Sequence, residues 1–506
     1  MLNELSDLRI AHHPYLKFER GERVKIKFDG RELDAYQNES LGAALYASGV
    51  RIFSRSEKYH RPRGLFCVSG RCASCMLRVD GVPNVRVCAE PVHQGAIVES
   101  QNSYPNVSHD IYSILNHLGF LFPVGFQYKF VRPWFMWRVA ERVIKRMAGY
   151  GKIPDENAHI STRYPPLNVS NKVDIAVVGG GPAGLCAATT ASRNGAHVAL
   201  FDENDYLGGH IMKQTAEYDL PEYSGLRGFE IAKRMQEEVK AQSNLEIYQG
   251  TTAVGFYEGG KLAVNRGESY VELTPKATIL APGAYERRLI FENNDLPGII
   301  SGSGVQTLMH IHGIRPGSQV VVASTDGLGP ELAIQLAEAG ASVPCVIESR
   351  VKSGDDKHYA KLKELGVPVL WQYEIKSAHG KAGVGRVTAV KVAENGEQLP
   401  GTEKTIACDS LCVSAGCAPA FELLYQTGAD MYYDRQKDGF FPKRSNKMEV
   451  APGIYAAGHV YGTHSLGNIL LEGRIAGTSA ALLLGYGGSD AETAMGNMID
   501  ELSKKA

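Results

Sequence analysis

Four cysteines constrain this chain more than any other feature. Cys67, Cys72, Cys75 and Cys88 lie within GLFCVSGRCASCMLRVDGVPNVRVCAEPV. Their spacing, C-x4-C-x2-C with a distant fourth cysteine, is that of plant-type [2Fe–2S] sites. Thiolates are soft ligands suited to such clusters, and three on one tight loop can wrap one side of it. Gly70 relaxes the loop where backbone must approach the sulfides. MLRVDGVPNVRV reads as strand, Asp-Gly turn, strand, a hairpin that would return Cys88 to the other three. A zinc site usually shows two C-x-x-C-like pairs. Here there is one pair, a ligand before it and a lone partner, so the four cysteines are the expected cluster ligands. Such a cluster moves one electron at a time, and its chain belongs to an electron-transfer path.

At 506 residues the chain should hold two to four domains, and a hydrophobic fraction of 44 % is ample for real cores. The net charge of −1 gives no global pull toward nucleic acid or a membrane surface. The first residues, MLNELSDLRIAHHPYLKFERGERV, lack an apolar core of signal-peptide type. The aromatic stretch from Leu118 to Met147 is interrupted by Lys129, Arg132, Arg138, Glu141, Arg142, Lys145 and Arg146, which argues against a membrane span. Nine cysteines, four of them assigned to the cluster, fit a reducing compartment, and the expected location is the cytoplasm.

Residues 20 to 100 read as short strands and turns around one helix, Glu39 to Gly49, with Leu41, Leu45 and the alanines on one face. Residues 104 to 170 form a connector that gathers Phe120, Phe122, Phe126, Phe130, Trp134, Phe135 and Trp137. From about Phe135 to Met147 it could be a basic amphipathic helix. It reads either as a strap between domains or as a docking surface for another protein chain, since aromatics and arginines concentrate at interface cores.

From residue 171 the pattern becomes strand, glycine turn, helix, strand: VDIAVVGGGPAGLCAATTASRNGAHVALFDE. Gly179, Gly181 and Gly184 fit G-x-G-x-x-G. They serve the tight turn, the close approach to a pyrophosphate and the helix–strand packing respectively. Pro182 and Ala183 open the helix, whose N-terminus supports the anion. Asp202, with Glu203 beside it, ends the next strand and is placed to meet a ribose hydroxyl. Gly209, the turn at Gly283 after the strand ATILAPG, and Gly458 with His459 in GIYAAGHVYG complete the candidate nucleotide contacts. A second unit begins near Gly317, but Ser324 and Asp326 occupy its first two glycine positions and leave Gly327 and Gly329. It is expected to keep the fold without a working phosphate cradle. IACDSLCVSAG reads as one strand of alternating buried positions with Cys408, Cys412 and Cys417 in or beside it. Alternation and burial explain two of the three as core residues, and core is the expected reading rather than a second cluster.

Three stretches, SRSEKYHRPRG, FPVGFQYKF and DIAVVGGGPAGL, resemble the alpha subunit of bacterial heterotetrameric sarcosine oxidase. Its relatives include opine oxidases, dye-linked proline and hydroxyproline dehydrogenases and hydrogen cyanide synthase subunits. The resemblance covers roughly residues 20 to 485 and implies an α/β fold: an N-terminal β-grasp ferredoxin-like domain followed by a two-dinucleotide-binding, Rossmann-type flavoprotein fold. The expected domains are 1–103, a connector 104–170, a nucleotide domain 171–290 with 401–506, and a second, degenerate unit 291–400.

The chain departs from the family's oxidase alpha subunit in three ways. It keeps the four cluster cysteines. It shows no long C-terminal folate-type domain, so formaldehyde capture on folate is not expected. It has His459 where FAD-binding relatives usually place Asp, which leaves FAD, NAD or ATP open at that site; a catalytic histidine there is not expected. The resemblance implies an electron-transfer subunit of a flavin-dependent amine or imino-acid dehydrogenase. It further implies a separate beta-type subunit that bears FAD, with a flavin mononucleotide at the interface between the two chains. The alternatives are a self-contained NAD(P)H-dependent FAD/[2Fe–2S] reductase and a cluster-bearing scaffold with a non-redox nucleotide. No catalytic residue can be named from the sequence.

Overall fold

Strand Arg23–Phe28 alternates exposed and buried positions and sits near the middle of a five-stranded sheet. Across that sheet the order is Arg31–Tyr36, Arg23–Phe28, Ile97–Glu99, Met76–Val79, Val82–Arg86. The pairing of Arg23–Phe28 with Ile97–Glu99 is parallel, and the rest is antiparallel. Helix Leu41–Ala47 lies wholly buried, capped by Ser40, whose hydroxyl accepts the Ala43 N–H. This is the β-grasp arrangement expected of a ferredoxin-like domain. The predicted hairpin forms, with Asp80 and Gly81 both at positive φ (47° and 85°), as an Asp-Gly turn of this kind requires. The structure, a computed structural model, describes residues 7–117, 134–139, 141–142, 154, 158, 165–170, 172–352, 357–462 and 465–505. Most of the aromatic and basic connector, including Phe120, Phe122, Phe126, Phe130 and the expected helix beyond residue 142, lies outside the described residues.

The chain forms two compact units: residues 1–161 with 288–416, and residues 162–287 with 417–506. In the first, a parallel sheet runs Ile299–Ser301, Ser410–Ser414, Val320–Ser324, Val346–Glu348, Val369–Trp371. The sequence separated residues 1–103 from 291–400. Here one hydrophobic cluster includes Leu45, Phe53, Leu77 and Val98 together with Val305, Leu308, Val322 and Leu336. Backbone bonds stitch the two segments, Ile10 N to Gly313 O at 2.7 Å and Ser301 N to Phe66 O at 3.1 Å, and the Tyr46 hydroxyl donates to Pro316 O. The expected single strand IACDSLCVSAG is two strands. Lys404–Ala407 joins an antiparallel three-stranded sheet, and Ser410–Ser414 enters the parallel one with every residue buried. Continuous burial, rather than alternation, is what a parallel strand covered on both faces shows. Cys408 and Cys412 are buried.

The second unit is built on a six-stranded sheet in the order Leu245–Tyr248, Val198–Phe201, Ile175–Val178, Ala277–Leu280, Ile454–Ala456, Glu449–Ala451. All pairs but the last are parallel. Helix Pro182–Arg193 packs on the long helix Leu466–Leu483. A Cβ at Gly473 would overlap the Ala183 carbonyl oxygen, and one at Gly477 would come within 3.0 Å of Ala187 Cα. Two glycines on one face thus let the helices approach backbone to backbone.

Candidate functional site: a four-cysteine loop and a dinucleotide turn

Cys67, Cys72 and Cys75 lie on one loop, and the hairpin Met76–Arg86 brings Cys88 back to it. The return is fixed from behind by helix Leu41–Ala47. Gly42 N donates to Val87 O at 2.7 Å and Leu41 N to Glu90 O at 2.7 Å. A Cβ at Gly42 would stand 2.8 Å from Cys88 Cα. Gly42 was not singled out in the sequence, where a glycine in a short alanine-rich helix signals only weak propensity. The four sulfurs meet as a chain of contacts: Cys67 touches Cys72 and Cys88, and Cys88 also touches Cys75. Two backbone amides point at them, Gly70 N to Cys88 Sγ at 3.2 Å and Cys72 N to Cys67 Sγ at 3.3 Å. Gly70 holds φ +71°, and this left-handed turn aims its N–H inward.

Hydrogen bonds from Cys72 and then Cys88 push the Cys67 thiol down, whereas its contact with Cys67 pushes Cys72 up, and the same neighbour pushes Cys88 up. Crowded sulfurs of this kind cannot all ionise without a cation among them. Convergent thiolate donors with N–H groups turned toward the sulfur fit an iron–sulfur cluster. Among the described residues no group of three or more His, Cys, Asp or Glu side chains is arranged to hold a single metal ion. Cys72, Cys75 and Cys88 are buried and Cys67 is half-buried, so Cys67 is the edge of the site nearest solvent.

In the second unit the glycine turn lies at the carboxyl ends of the parallel strands, where such folds bind ligands. Gly179 (φ +100°) sits so close to Ala281 that a Cβ would come within 2.8 Å of the Ala281 carbonyl carbon. A Cβ at Gly184 would come within 3.0 Å of the Gly179 carbonyl carbon. Gly181 differs: a Cβ there would meet nothing nearer than Gly209 Cα at 4.0 Å. No protein contact demands glycine at that position, so the space in front of it is a cradle for a group outside the chain. Gly181 is the cap of the helix that Pro182 opens, so the helix N–H groups face that space. A Cβ at Gly209 would lie 2.9 Å from Gly181 Cα, and one at Gly458 would lie 3.0 Å from Ala183 Cβ. Gly283 holds φ +78° in open space after Ala281. The structure therefore gathers Gly179, Gly181, Pro182, Ala183, Gly184, Gly209 and Gly458 around one cradle.

Asp202 is used differently from the ribose contact expected of it. It is buried, with one oxygen accepting the Gly180 N–H at 2.5 Å and the other accepting Asn204 N at 2.7 Å and Nδ2 at 2.9 Å. Burial pushes its carboxyl up, against those hydrogen bonds. Asp202 thus holds the glycine turn in shape, and Glu203 is the exposed carboxylate at the strand end. His459 is half-buried on the helical turn Gly458–Tyr461. Glu472, which carries no motif in the sequence, fixes that turn. Buried among helix residues, it accepts Gly458 N at 2.8 Å and pairs with Arg444 at 2.6 Å. The Arg444 guanidinium in turn lies 3.4 Å over the Tyr461 ring.

The other parallel sheet carries the second strand–turn–helix, and its cradle is filled from within. Ser324 Oγ accepts Gly327 N and Gly329 N, each at 3.3 Å. Asp326 accepts Leu328 N at 3.0 Å, Gly416 N at 2.9 Å and the Ser414 hydroxyl at 2.9 Å. Arg350 lies against Gly327, leaving a Cβ there only 2.7 Å from its Cζ, and is held by the buried Glu348 at 3.0 Å. Side chains thus accept the amides of this turn at Gly327, Leu328 and Gly329.

A family model for a 2Fe-2S iron-sulfur cluster binding domain matches residues 21–103, and one for pyridine nucleotide-disulphide oxidoreductase matches residues 173–482. Together they support a [2Fe–2S] cluster and FAD as cofactors. The alpha subunit of sarcosine oxidase from Rhizobium meliloti (strain 1021) is 30 % identical over 87 % of this chain and 44 % of its own length. An opine oxidase chain from Rhizobium meliloti is 27 % identical over 62 % of this chain and 63 % of its own. This chain therefore spans less than half the length of the sarcosine oxidase chain it matches. In fold, it superimposes on L-proline dehydrogenase from P. horikoshii with a TM-score of 0.67 and 22 % identity, over 96 % of this chain and 78 % of the other.

Proposed function

Since this chain belongs to the pyridine nucleotide-disulphide oxidoreductase family and carries a [2Fe–2S] domain ahead of its nucleotide folds, it is an oxidoreductase. We propose that it is the electron-transfer subunit of a multisubunit, flavin-dependent amine or imino-acid dehydrogenase of the sarcosine, proline or opine type. The observation that carries this reading is the union, in one chain, of a four-cysteine loop with one open and one self-filled dinucleotide cradle. The substrate would be oxidised at its C–N bond on a partner chain that bears its own FAD. A flavin mononucleotide would sit at the interface. Phe135 of the connector is 73 % exposed, which suits a docking role.

Flavin supplies two-electron chemistry that can be released one electron at a time, and the cluster accepts single electrons. The chain's own residues hold and orient these groups. Cys67, Cys72, Cys75 and Cys88 would be the cluster ligands, with the Gly70 and Cys72 amides stabilising negative charge on sulfur. The helix at Gly181 would support the pyrophosphate. Glu203 would take the ribose hydroxyls, and the turn at Gly458, held by Glu472, would close the nucleotide site. We assign the acceptor to a quinone, cytochrome or small iron–sulfur carrier rather than oxygen alone, and the location to the cytoplasm. In support of the latter, the nine cysteines form no disulfide with one another, a usage that suits a reducing compartment.

Acid release of the bound nucleotide, identified by mass, tests the reading. FAD is expected. NAD or ATP would make the cradle a scaffold and leave the cluster as this chain's redox centre. A self-contained NAD(P)H reductase is disfavoured by Ser324, Asp326 and Arg350, and rapid bleaching of the isolated chain by NADH would restore it. Stoichiometric peroxide from the amine, unaffected by an added acceptor, would overturn the dehydrogenase assignment.

A further inference from the structure

A cavity of about 630 Å³ opens in the unit that holds the cluster loop, within the size range of small-molecule sites. Its lining includes Phe66 and Ser74, the residues immediately before the cluster cysteines Cys67 and Cys75. It also presents Arg61, Arg63 and Arg288 against two carboxylates, Glu292 and Asp295, so the lining is net cationic. The three arginines are not equivalent. Arg61 is taken by Asp295 at 2.6 and 2.7 Å and by Asn293 at 3.0 Å. Arg63 has no carboxylate partner among the described residues, and its Nε is buried with no hydrogen-bond acceptor among them. A buried guanidinium N–H left without an acceptor is costly, and a forked donor of this kind matches carboxylate, sulfonate or phosphate oxygens. Arg288 is exposed and lies 4.7 Å over the Phe66 ring, a flat cationic–aromatic face. Apolar side chains such as Leu289 and Phe291 also line the cavity.

We propose that this cavity binds a planar aromatic anion, with its acidic group on Arg63 and its ring on the Arg288–Phe66 face. The ligand would lie against the cluster loop. The inference does not depend on the identity of the nucleotide at Gly181 or on the nature of the partner chain.

The test uses the full chain with its cluster loaded and naphthalene-2-sulfonate, a redox-inert planar anion, as the probe. Titration calorimetry should show one site, with binding at least tenfold tighter than that of neutral 2-naphthalenemethanol. Arg63→Met should weaken the sulfonate at least tenfold while the cluster absorbance is unchanged, and Arg288→Ala should weaken it severalfold. Saturating sulfonate should shift the electron paramagnetic resonance signal of the reduced cluster. Equal affinity for the charged and neutral rings, no binding at all, or unchanged affinity in both variants would overturn the proposal. If Arg63→Met fails to load its cluster, the exposed Arg288 decides: unchanged binding in Arg288→Ala refutes the site.

Discussion

Gly473 and Gly496 both lie inside long helices, and propensity alone predicts that alanine stabilises each by about 1 kcal/mol. The structure predicts opposite signs. At Gly496 a Cβ would meet nothing within 4 Å, so the propensity gain stands. At Gly473 the Cβ would overlap the Ala183 carbonyl oxygen and come 2.9 Å from Cys186 Cβ. The first neighbour is backbone and cannot rotate away, so the two helices must separate. Forced separation of a packed core costs about 1–3 kcal/mol, and this contact belongs at the upper end of that range. Set against the propensity gain, Gly473→Ala should lose about 2 kcal/mol. For a unit of about 200 residues that corresponds to a fall in melting temperature of about 4–8 °C, while Gly496→Ala should rise by about 2–4 °C. Because Ala183 belongs to the nucleotide turn, Gly473→Ala should also lower the nucleotide retained per chain, and Gly496→Ala should not. Thermal melts read with nucleotide content by mass test both. A Gly473→Ala protein that melts at or above the parent temperature would refute the close-approach argument.

Cys88→Ser should abolish the visible absorbance and the iron content of the cluster while leaving the bound nucleotide in place, as measured by iron assay and mass. Glu472→Gln should destabilise the Gly458 turn, since it leaves the buried Arg444 without its counter-charge. Breaking a buried pair in this way costs about 3–5 kcal/mol, and the loss should appear as a lower melting temperature and weaker nucleotide retention. His13 and His312 are each held down to about 4, chiefly by burial, and the His13 Nδ1 also accepts the Tyr15 and Leu16 amides. With an ordinary value near 6.5 in the unfolded chain, the folded state binds fewer protons. Their contribution is therefore complete above about pH 6.5 and is lost as pH falls toward about 4. Acid-unfolding curves of His13→Gln should be flatter over that window than those of the parent chain.

The cluster loop was legible in the sequence because its determinants are local: three cysteines on one loop and a two-residue turn that returns the fourth. The glycine turn was legible for the same reason. What the sequence misplaced depends on contacts between distant segments. Asp202 looks like a ribose ligand because it ends the second strand; only the position of the Gly180 amide shows that its carboxylate is already engaged. Ser410–Ser414 looks like a continuation of the strand before it, and nothing local says that its five residues pair with Val320–Ser324 instead. Its burial on both faces also erases the alternation that would have marked an antiparallel strand. Residues 1–103 and 291–400 share a core through side chains that each segment's own pattern would assign to separate interiors. The second dinucleotide unit shows the converse. There the sequence shows Ser324 and Asp326 in place of the first two glycines, and the structure shows what those side chains do. The Ser324 and Asp326 side-chain oxygens accept the Gly327, Leu328 and Gly329 amides, so the turn is held in shape by its own side chains.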